Sequence, residues 1–240
     1  MAEIGSSFLQ ERSLPYLHGQ SFKISSKRSL NCRMMFSSNQ TNLDLGISLE
    51  SNTREISGLT YIPDYINSDE HNQLLSLIDQ QEWSTKLKRR VQHYGYRYDY
   101  KNGFLASSSY LGALPVWLQS LANRLSSDRL TTKVPDQVII NEYEPGQGIS
   151  SHVDCIPCFG NTIISLSFGS PCVMDFIHSQ TKEKISILLP PRSLIVMQKA
   201  ARYEWQHGIA ARKKDKYEGI EFIRTRRVSM TFREVLFPYK

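Results

Sequence analysis

The sequence of 240 residues predicts an α+β fold that is mainly β, with helices packed on one side of an antiparallel β-sandwich or jelly roll. Three observations lead there. Helical periodicity is confined to two stretches before residue 130, and at least six short strand-like runs follow them. A hydrophobic share of 40%, with ten Phe and twelve Tyr, is enough to fill a core of that kind.

Taken in order, residues 1–52 are rich in serine and lack sustained apolar periodicity, the texture of a disordered tail. Between Arg12 and Leu43 this tail carries Arg12, Lys23, Lys27, Arg28 and Arg33 and no acid, the bias of an organelle transit peptide, although Glu3 and Glu11 run against it. Cytoplasm and/or nucleus is the expected location, with chloroplast or mitochondrion as the alternative. The folded domain is expected over residues 58–240. Leu59 to Ile66 has strand character, and Asn67-Ser-Asp-Glu70 resembles a capping box opening a helix whose apolar face is Leu74, Leu75 and Ile78. A second helix is expected from Pro115 to Ser126, with Val116, Trp117, Leu118, Leu121 and Leu125 as its apolar side. Strands are expected at Gln137 to Tyr143, Asn161 to Phe168, Cys172 to Ile177, Lys184 to Leu189, Ser193 to Gln198 and Arg226 to Leu236.

A net charge of +6 permits a polyanionic partner without requiring one. No apolar run approaches the ~18 residues of a membrane-spanning helix, so no membrane partner is expected. The four cysteines (Cys32, Cys155, Cys158, Cys172) follow no signal peptide, which argues against a disulfide scaffold and for a reducing compartment. Cys155-Ile-Pro-Cys158 lacks two further ligands at zinc-site spacing and reads as an incidental pair.

The segment from Asn141 to Asp154 carries the densest chemistry. His152 and Asp154 are two apart, so on extended chain an imidazole and a carboxylate project the same way. His207, in Trp205-Gln-His-Gly-Ile209, can return beside them on another strand. Two histidines and a carboxylate make the facial triad of non-haem Fe(II) oxygenases, and zinc hydrolases use a similar set. In Arg227-Val-Ser-Met-Thr-Phe-Arg233 the polar residues Arg227, Ser229, Thr231 and Arg233 alternate with Val228, Met230 and Phe232. An edge strand with one solvated face would alternate in the same way. If the arginines instead face a barrel interior, they call for an anion, and a dicarboxylate held by one guanidinium while its other end chelates a metal is such an anion. Asn141 and Tyr143 form a matching same-face pair that can donate hydrogen bonds to it.

Together Asn-x-Tyr-x-Pro-Gly, His-x-Asp, His-Gly-Ile and Arg-x-Ser-x-Thr-Phe-Arg, in this order and spacing, resemble the AlkB family of Fe(II)/2-oxoglutarate-dependent dioxygenases from about Gly58 to Arg233. The resemblance implies a double-stranded β-helix (jelly roll) with supporting N-terminal helices. It implies Fe(II), 2-oxoglutarate as cosubstrate, and O2. Carried over residue by residue, it implies iron ligands His152, Asp154 and His207, and 2-oxoglutarate contacts at Asn141, Tyr143, Arg227, Ser229 and Arg233, with Arg227 on the distal carboxylate. The implied activity is hydroxylation of a carbon on a nucleobase, commonly an N-methyl group that leaves as formaldehyde. Within the family, Arg90 to Asp99, Val173-Met-Asp-Phe176 and Arg202-Tyr-x-Trp-x-His207 look most like the branch that hydroxylates wobble uridines in tRNA. At 240 residues the chain is expected to hold neither the RNA-recognition nor the methyltransferase domain of that branch, and a separate methyltransferase is a candidate partner. It also has Ile156 where that branch has a zinc-binding histidine and where DNA-repair members have an acidic base-reading residue.

On the substrate side, Tyr94, Tyr96, Tyr98 and Tyr100 are spaced by two, and a strand would array them on one face. The stretch from Lys86 to Lys101 adds Lys86, Lys88, Arg89, Arg90, Arg97 and Lys101 against Asp99 alone. Such a surface suits an unstacked base and its phosphates, and a stripe packing a hairpin onto the barrel would look the same. The family resemblance makes this region a lid over the substrate base and points to His93, Arg97 and Tyr98 as its contacts. A second basic stretch, Ala211 to Arg233, offers another nucleic-acid contact or a solvated loop. The expectation is a monomeric dioxygenase acting on a modified base in nucleic acid, RNA ahead of DNA. A protein side-chain hydroxylase or demethylase of the same family, or a non-catalytic RNA-binding module, is the alternative.

Overall fold

The computed structural model describes residues 56–236 apart from 101, 102 and 104, so the serine-rich tail expected over residues 1–52 and the cation of Lys101 lie outside the described residues. Strand β1 (Leu59–Ile62) stops short of the expected Ile66 because Pro63 has no N–H to give the ladder. Helix α1 (Ser68–Asp79) begins where the capping box placed it: the Asn67 side chain accepts the Glu70 N–H at 2.9 Å, and Leu74 and Ile78 are buried. Helix α2 (Val116–Ser127) buries Leu118, Leu121, Ala122 and Leu125. Val116, expected on the apolar side, is 84% exposed. It lies two residues before Leu118, about 200° around the helix from the buried face.

After β2 (Val91–Tyr94), the chain forms β3 (Gln137–Tyr143), β4 (Ile149–His152), β5 (Phe159–Gly169), β6 (Cys172–His178), β7 (Lys184–Leu189) and β8 (Leu194–Met197). A short helix α3 (Lys199–Tyr203) leads into β9 (Trp205–Ile209), a hairpin β10 (Lys214–Tyr217) and β11 (Ile220–Ile223), and β12 (Arg227–Val235). The six strands expected from β propensity are all present within a few residues. Strands β2, β4, β9, β10 and β11 were not among them. They are short, and β10–β11 turns on Glu218-Gly219, both at positive φ (47° and 84°), the backbone a two-residue hairpin loop requires.

Two antiparallel sheets make the jelly roll. A six-stranded sheet runs β1-β8-β5-β12-β3-β2, and a four-stranded sheet runs β4-β9-β6-β7. Ile163, Met197 and Tyr143 of the first share a core cluster with Phe176, Ile187 and Trp205 of the second. On the other face of the large sheet, Val138, Ile140, Leu166, Val228, Met230 and Phe232 pack against α1 and α2. This sorts the alternation of β12: its apolar residues face the helices, and Arg227, Ser229, Thr231 and Arg233 face the interior of the roll. The β10–β11 hairpin packs Tyr217 and Phe222 on Val173 and Leu188 outside the small sheet. It is anchored by buried Asp215, which accepts from Arg224, Arg212 and the Val173 N–H.

The tyrosine stripe does not form as expected. Ladder β2 ends at Tyr94, and Gly95 (φ 75°) bends the chain where a Cβ would meet the Asp136 carbonyl oxygen at 1.9 Å. Tyr94 therefore packs edge-on to Trp117 on the helix side, Tyr96 tilts against Tyr110, and Tyr98 and Tyr100 meet each other on the inner side.

Candidate active site

Strands β4 and β9 lie side by side with His152 directly opposite His207, their ring centroids 4.6 Å apart. What permits this approach is Gly208: a Cβ there would lie 2.7–2.8 Å from Ser151 Oγ, Cα and N. Asp154 follows as the chain leaves β4, and one ligand atom from each of His152, Asp154 and His207 falls within 4.8 Å of the others. Among the described residues no other group of three such side chains has this closeness.

The local chemistry of each donor suits a cation. Nδ1 of His152 donates to the Ser150 carbonyl at 2.8 Å, which fixes the ring and leaves Nε2 as the nitrogen available to a metal. Burial pushes the His207 imidazole down to about 4, and His152, Arg233 and Arg202 add to that against the pull of Asp154, so His207 is neutral at physiological pH. Burial would raise the Asp154 carboxyl, but Arg233, with His207 and His152, outweighs it and holds the group well below the usual carboxylate range. Arg233 donates to Oδ1 from Nε at 3.0 Å and from Nη2 at 2.8 Å, while Oδ2 is buried without a hydrogen-bond donor, 3.5 Å from His207 Nε2. Two imidazoles, that of His207 neutral, and an ionised carboxylate with an orphaned oxygen are a donor set that a divalent metal completes.

The face beside this triad is built from β3, β12 and β5, where Arg227 lies opposite Tyr143, and Ser229 lies opposite both Asn141 and Ser167. Arg227 is 2% exposed. Its Nη2 donates to Ser167 Oγ at 3.0 Å, and its Nε and Nη1 are buried without partners. A guanidinium in that state has its charge and two donors directed at something the polypeptide does not supply, and a carboxylate meets both needs. Tyr143 and Ser229 hydrogen-bond to each other, with burial pushing the phenol up. The structure thus brings Asn141, Tyr143, Arg227 and Ser229 together. The remaining arginine, Arg233, is engaged by Asp154 and by Gln137 Oε1 at 3.2 Å.

Around the opening, Tyr98 contacts Tyr100 and Phe159, Tyr100 meets His93 at 5.8 Å, and Arg233 lies over Phe159 at 4.9 Å. The His93 imidazole is held at about 4 by burial and by the charges of Arg97, Arg233 and Arg89, and its Nε2 is buried without a partner. Arg97 is exposed. Arg89, grouped in the sequence with a phosphate-binding run, instead donates to Asn141 Oδ1 at 3.0 Å and covers the Tyr100 ring. Other expected surface cations are likewise engaged internally: Arg90 by Glu142, Arg226 by Glu142 and Asp79, and Arg212 and Arg224 by Asp215. In the second basic stretch Lys213, Lys216 and the buried Arg227 form no ion pair among the described residues, while Arg212, Lys214, Arg224, Arg226 and Arg233 all do, so that stretch is largely structural.

Cys155 and Cys158, read from the sequence as incidental, form a disulfide. The turn that brings them together is closed by the Cys158 N–H on the Cys155 carbonyl. Two participants were missed. Ser167 was legible as a polar position alternating with Ile164, Leu166 and Phe168 on β5. Arg202 stood in a quoted motif without a role.

Comparison with known proteins agrees with this geometry. The 2OG-Fe(II) oxygenase superfamily matches residues 58–233. The "Alkylated DNA repair protein ALKBH8 homolog" of Arabidopsis thaliana is 32% identical over 95% of this chain and 71% of its own length. The Mus musculus "tRNA (carboxymethyluridine(34)-5-O)-methyltransferase ALKBH8" is 38% identical over 68% of this chain, which spans only 26% of that protein. The solved structure of OsALKBH1 superposes with a TM-score of 0.56 over 74% of this chain and 96% of its own, at 14% identity, a likeness of fold.

Proposed function

This chain belongs to the AlkB-type 2OG-Fe(II) oxygenases, and we propose that it oxidises a modified base in nucleic acid, RNA ahead of DNA, by hydroxylation or demethylation. Enzymes of the superfamily use Fe(II), 2-oxoglutarate and O2. When bound, these supply oxidation of a substrate C–H bond as 2-oxoglutarate becomes succinate and CO2.

The observation that carries the reading is the pairing of two orphaned polar sites in one interior. Asp154 Oδ2 lacks a cation, and Arg227 Nε and Nη1 lack an anion. In the proposed arrangement His152, Asp154 and His207 hold the iron. Arg227 grips the distal carboxylate of 2-oxoglutarate while Ser229 of the same strand and Tyr143 of the adjoining strand donate to the cosubstrate. Arg89 occupies the carboxamide oxygen of Asn141 and thereby leaves its NH2 to donate inward. Arg233 orients Asp154 and keeps it ionised. The chain's contribution is preorganisation: two facing imidazoles, a fixed carboxylate and a buried guanidinium in place before substrate arrives.

At the opening, Tyr98, Tyr100 and neutral His93 present flat faces and an unpartnered imidazole nitrogen to a base, and the exposed Arg97 can meet a phosphate. The named activities of the relatives on DNA and tRNA support nucleic acid as the substrate class. The test is incubation with Fe(II), 2-oxoglutarate and O2 together with total tRNA, matched DNA or a peptide digest, followed by mass spectrometry. A new oxidised nucleoside from the RNA arm is expected. Oxidation confined to DNA would reassign the substrate, and oxidation confined to peptides would overturn the reading.

A further inference from the structure

One buried charge has no role in this arrangement. Arg202 of α3 is 2% exposed and forms no ion pair among the described residues. Its donors go instead to main-chain carbonyls: Nη1 to Asp154 at 2.9 Å, Nε to Gly160 at 3.2 Å, and Nη2 to Cys155 at 3.3 Å and Phe159 at 3.4 Å. The Tyr203 ring flanks the guanidinium at 5.0 Å.

These four carbonyls bracket the segment that leaves β4 after His152 and joins β5. The Cys155 carbonyl already accepts the Cys158 and Phe159 N–H groups of its own turn, and Phe159 and Gly160 open β5, so the guanidinium joins that turn and the start of the strand to the main chain of Asp154. A planar guanidinium can serve four acceptors in different directions, whereas an ammonium donates from a single point. Arg202 is also placed to link the two parts of the triad. Only Glu204 separates α3 from β9, which carries His207, while the guanidinium reaches across to the main chain of Asp154. Asp154 is thus held twice, its carboxylate by Arg233 and its peptide by Arg202.

We propose that Arg202 is a positioning residue for the metal: by tying the carbonyls of residues 154–160 to the helix that leads into His207, it sets the carboxylate and the second imidazole in one geometry. The inference rests on the reading that His152, Asp154 and His207 hold the iron. It predicts that a substitution touching no ligand weakens the metal site.

The experiment titrates the whole chain with Mn(II), a redox-silent probe, by electron paramagnetic resonance, with melting temperature read in parallel. Wild type should bind Mn(II), and Asp154→Ala should lose it. Arg202→Lys should bind at least tenfold more weakly, in line with the loss typical of groups that orient metal ligands. Arg226→Gln, which cuts pairs to Asp79 and Glu142 away from the triad, should lower the melting temperature and leave Mn(II) affinity unchanged. Wild-type affinity in Arg202→Lys overturns the inference and leaves the triad standing. Binding by Asp154→Ala as tight as wild type overturns the triad itself, and the inference with it. If Arg202→Lys does not fold, the milder Arg202→Gln is titrated instead. Failure of both to fold under saturating Mn(II) would assign Arg202 to the fold alone and overturn its role at the metal.

Discussion

Arg233 donates twice to Oδ1 of Asp154 and leaves Oδ2 of the same carboxylate buried and unpaired. One arginine therefore determines both the ionisation and the orientation of the residue that contributes charge to the triad. Removing that cation lets burial raise the carboxyl, so protons compete with metal at higher pH. Arg233→Met should lower Mn(II) affinity by ~10–100-fold. The pH at which binding is half lost should lie above that of wild type in a titration series.

In the proposed arrangement Arg227 grips the cosubstrate. Truncating one member of a buried, hydrogen-bonded charge pair costs about 2–5 kcal/mol, so Arg227→Met should raise KM for 2-oxoglutarate by ~30-fold or more. Mn(II) affinity without cosubstrate should stay near wild type. Steady-state kinetics in 2-oxoglutarate, with the metal titration alongside, separate the two effects.

Gly208 sets the spacing of β4 and β9. In Gly208→Ala the new methyl meets the Ser151 main chain and must push the strands apart, at a cost of ~1–3 kcal/mol in stability. Because His152 and His207 face each other across that pair, the rise in melting temperature produced by Mn(II) should shrink along with stability. Differential scanning calorimetry with and without metal reads both.

Asp215 ties the β10–β11 hairpin to the small sheet. Burial would raise its carboxyl, yet Arg224, the Val173 N–H and Arg212 together hold it below the ordinary value. A depressed carboxyl stabilises the fold above its unfolded pKa of ~3.9 and loses that contribution as pH falls through the lower folded value. Asp215→Asn should therefore cost about 3–5 kcal/mol at pH 7. The gap from wild type should close below about pH 4, as chemical denaturation across pH would show.

Much of this was readable in the residues, for physical reasons particular to each. The alternation from Arg227 to Arg233 fixed which side chains share a face. Only the helices packed on Val228, Met230 and Phe232 show that the polar face is interior. His152 and Asp154 were legible because period two aligns neighbours on extended chain, whereas His207 was legible only through the resemblance of its His-Gly-Ile motif, and the close strand approach at Gly208 shows only in the fold. The tyrosine stripe misled because local spacing cannot reveal that Gly95 leaves the ladder. Charge counts misled for a similar reason: Arg90, Arg224 and Arg226 find acids distant in sequence or across a hairpin. Arg202 was illegible because its partners are carbonyls, which every residue carries.

In the proposed function this interior couples 2-oxoglutarate consumption to oxidation of a base in RNA. The most direct measurement is succinate formed against oxidised nucleoside formed, with tRNA as substrate, for wild type and Asp154→Ala. Wild type should give both products in matching amounts, and Asp154→Ala neither. Oxidised nucleoside produced equally by Asp154→Ala, or succinate that never depends on nucleic acid, would contradict it.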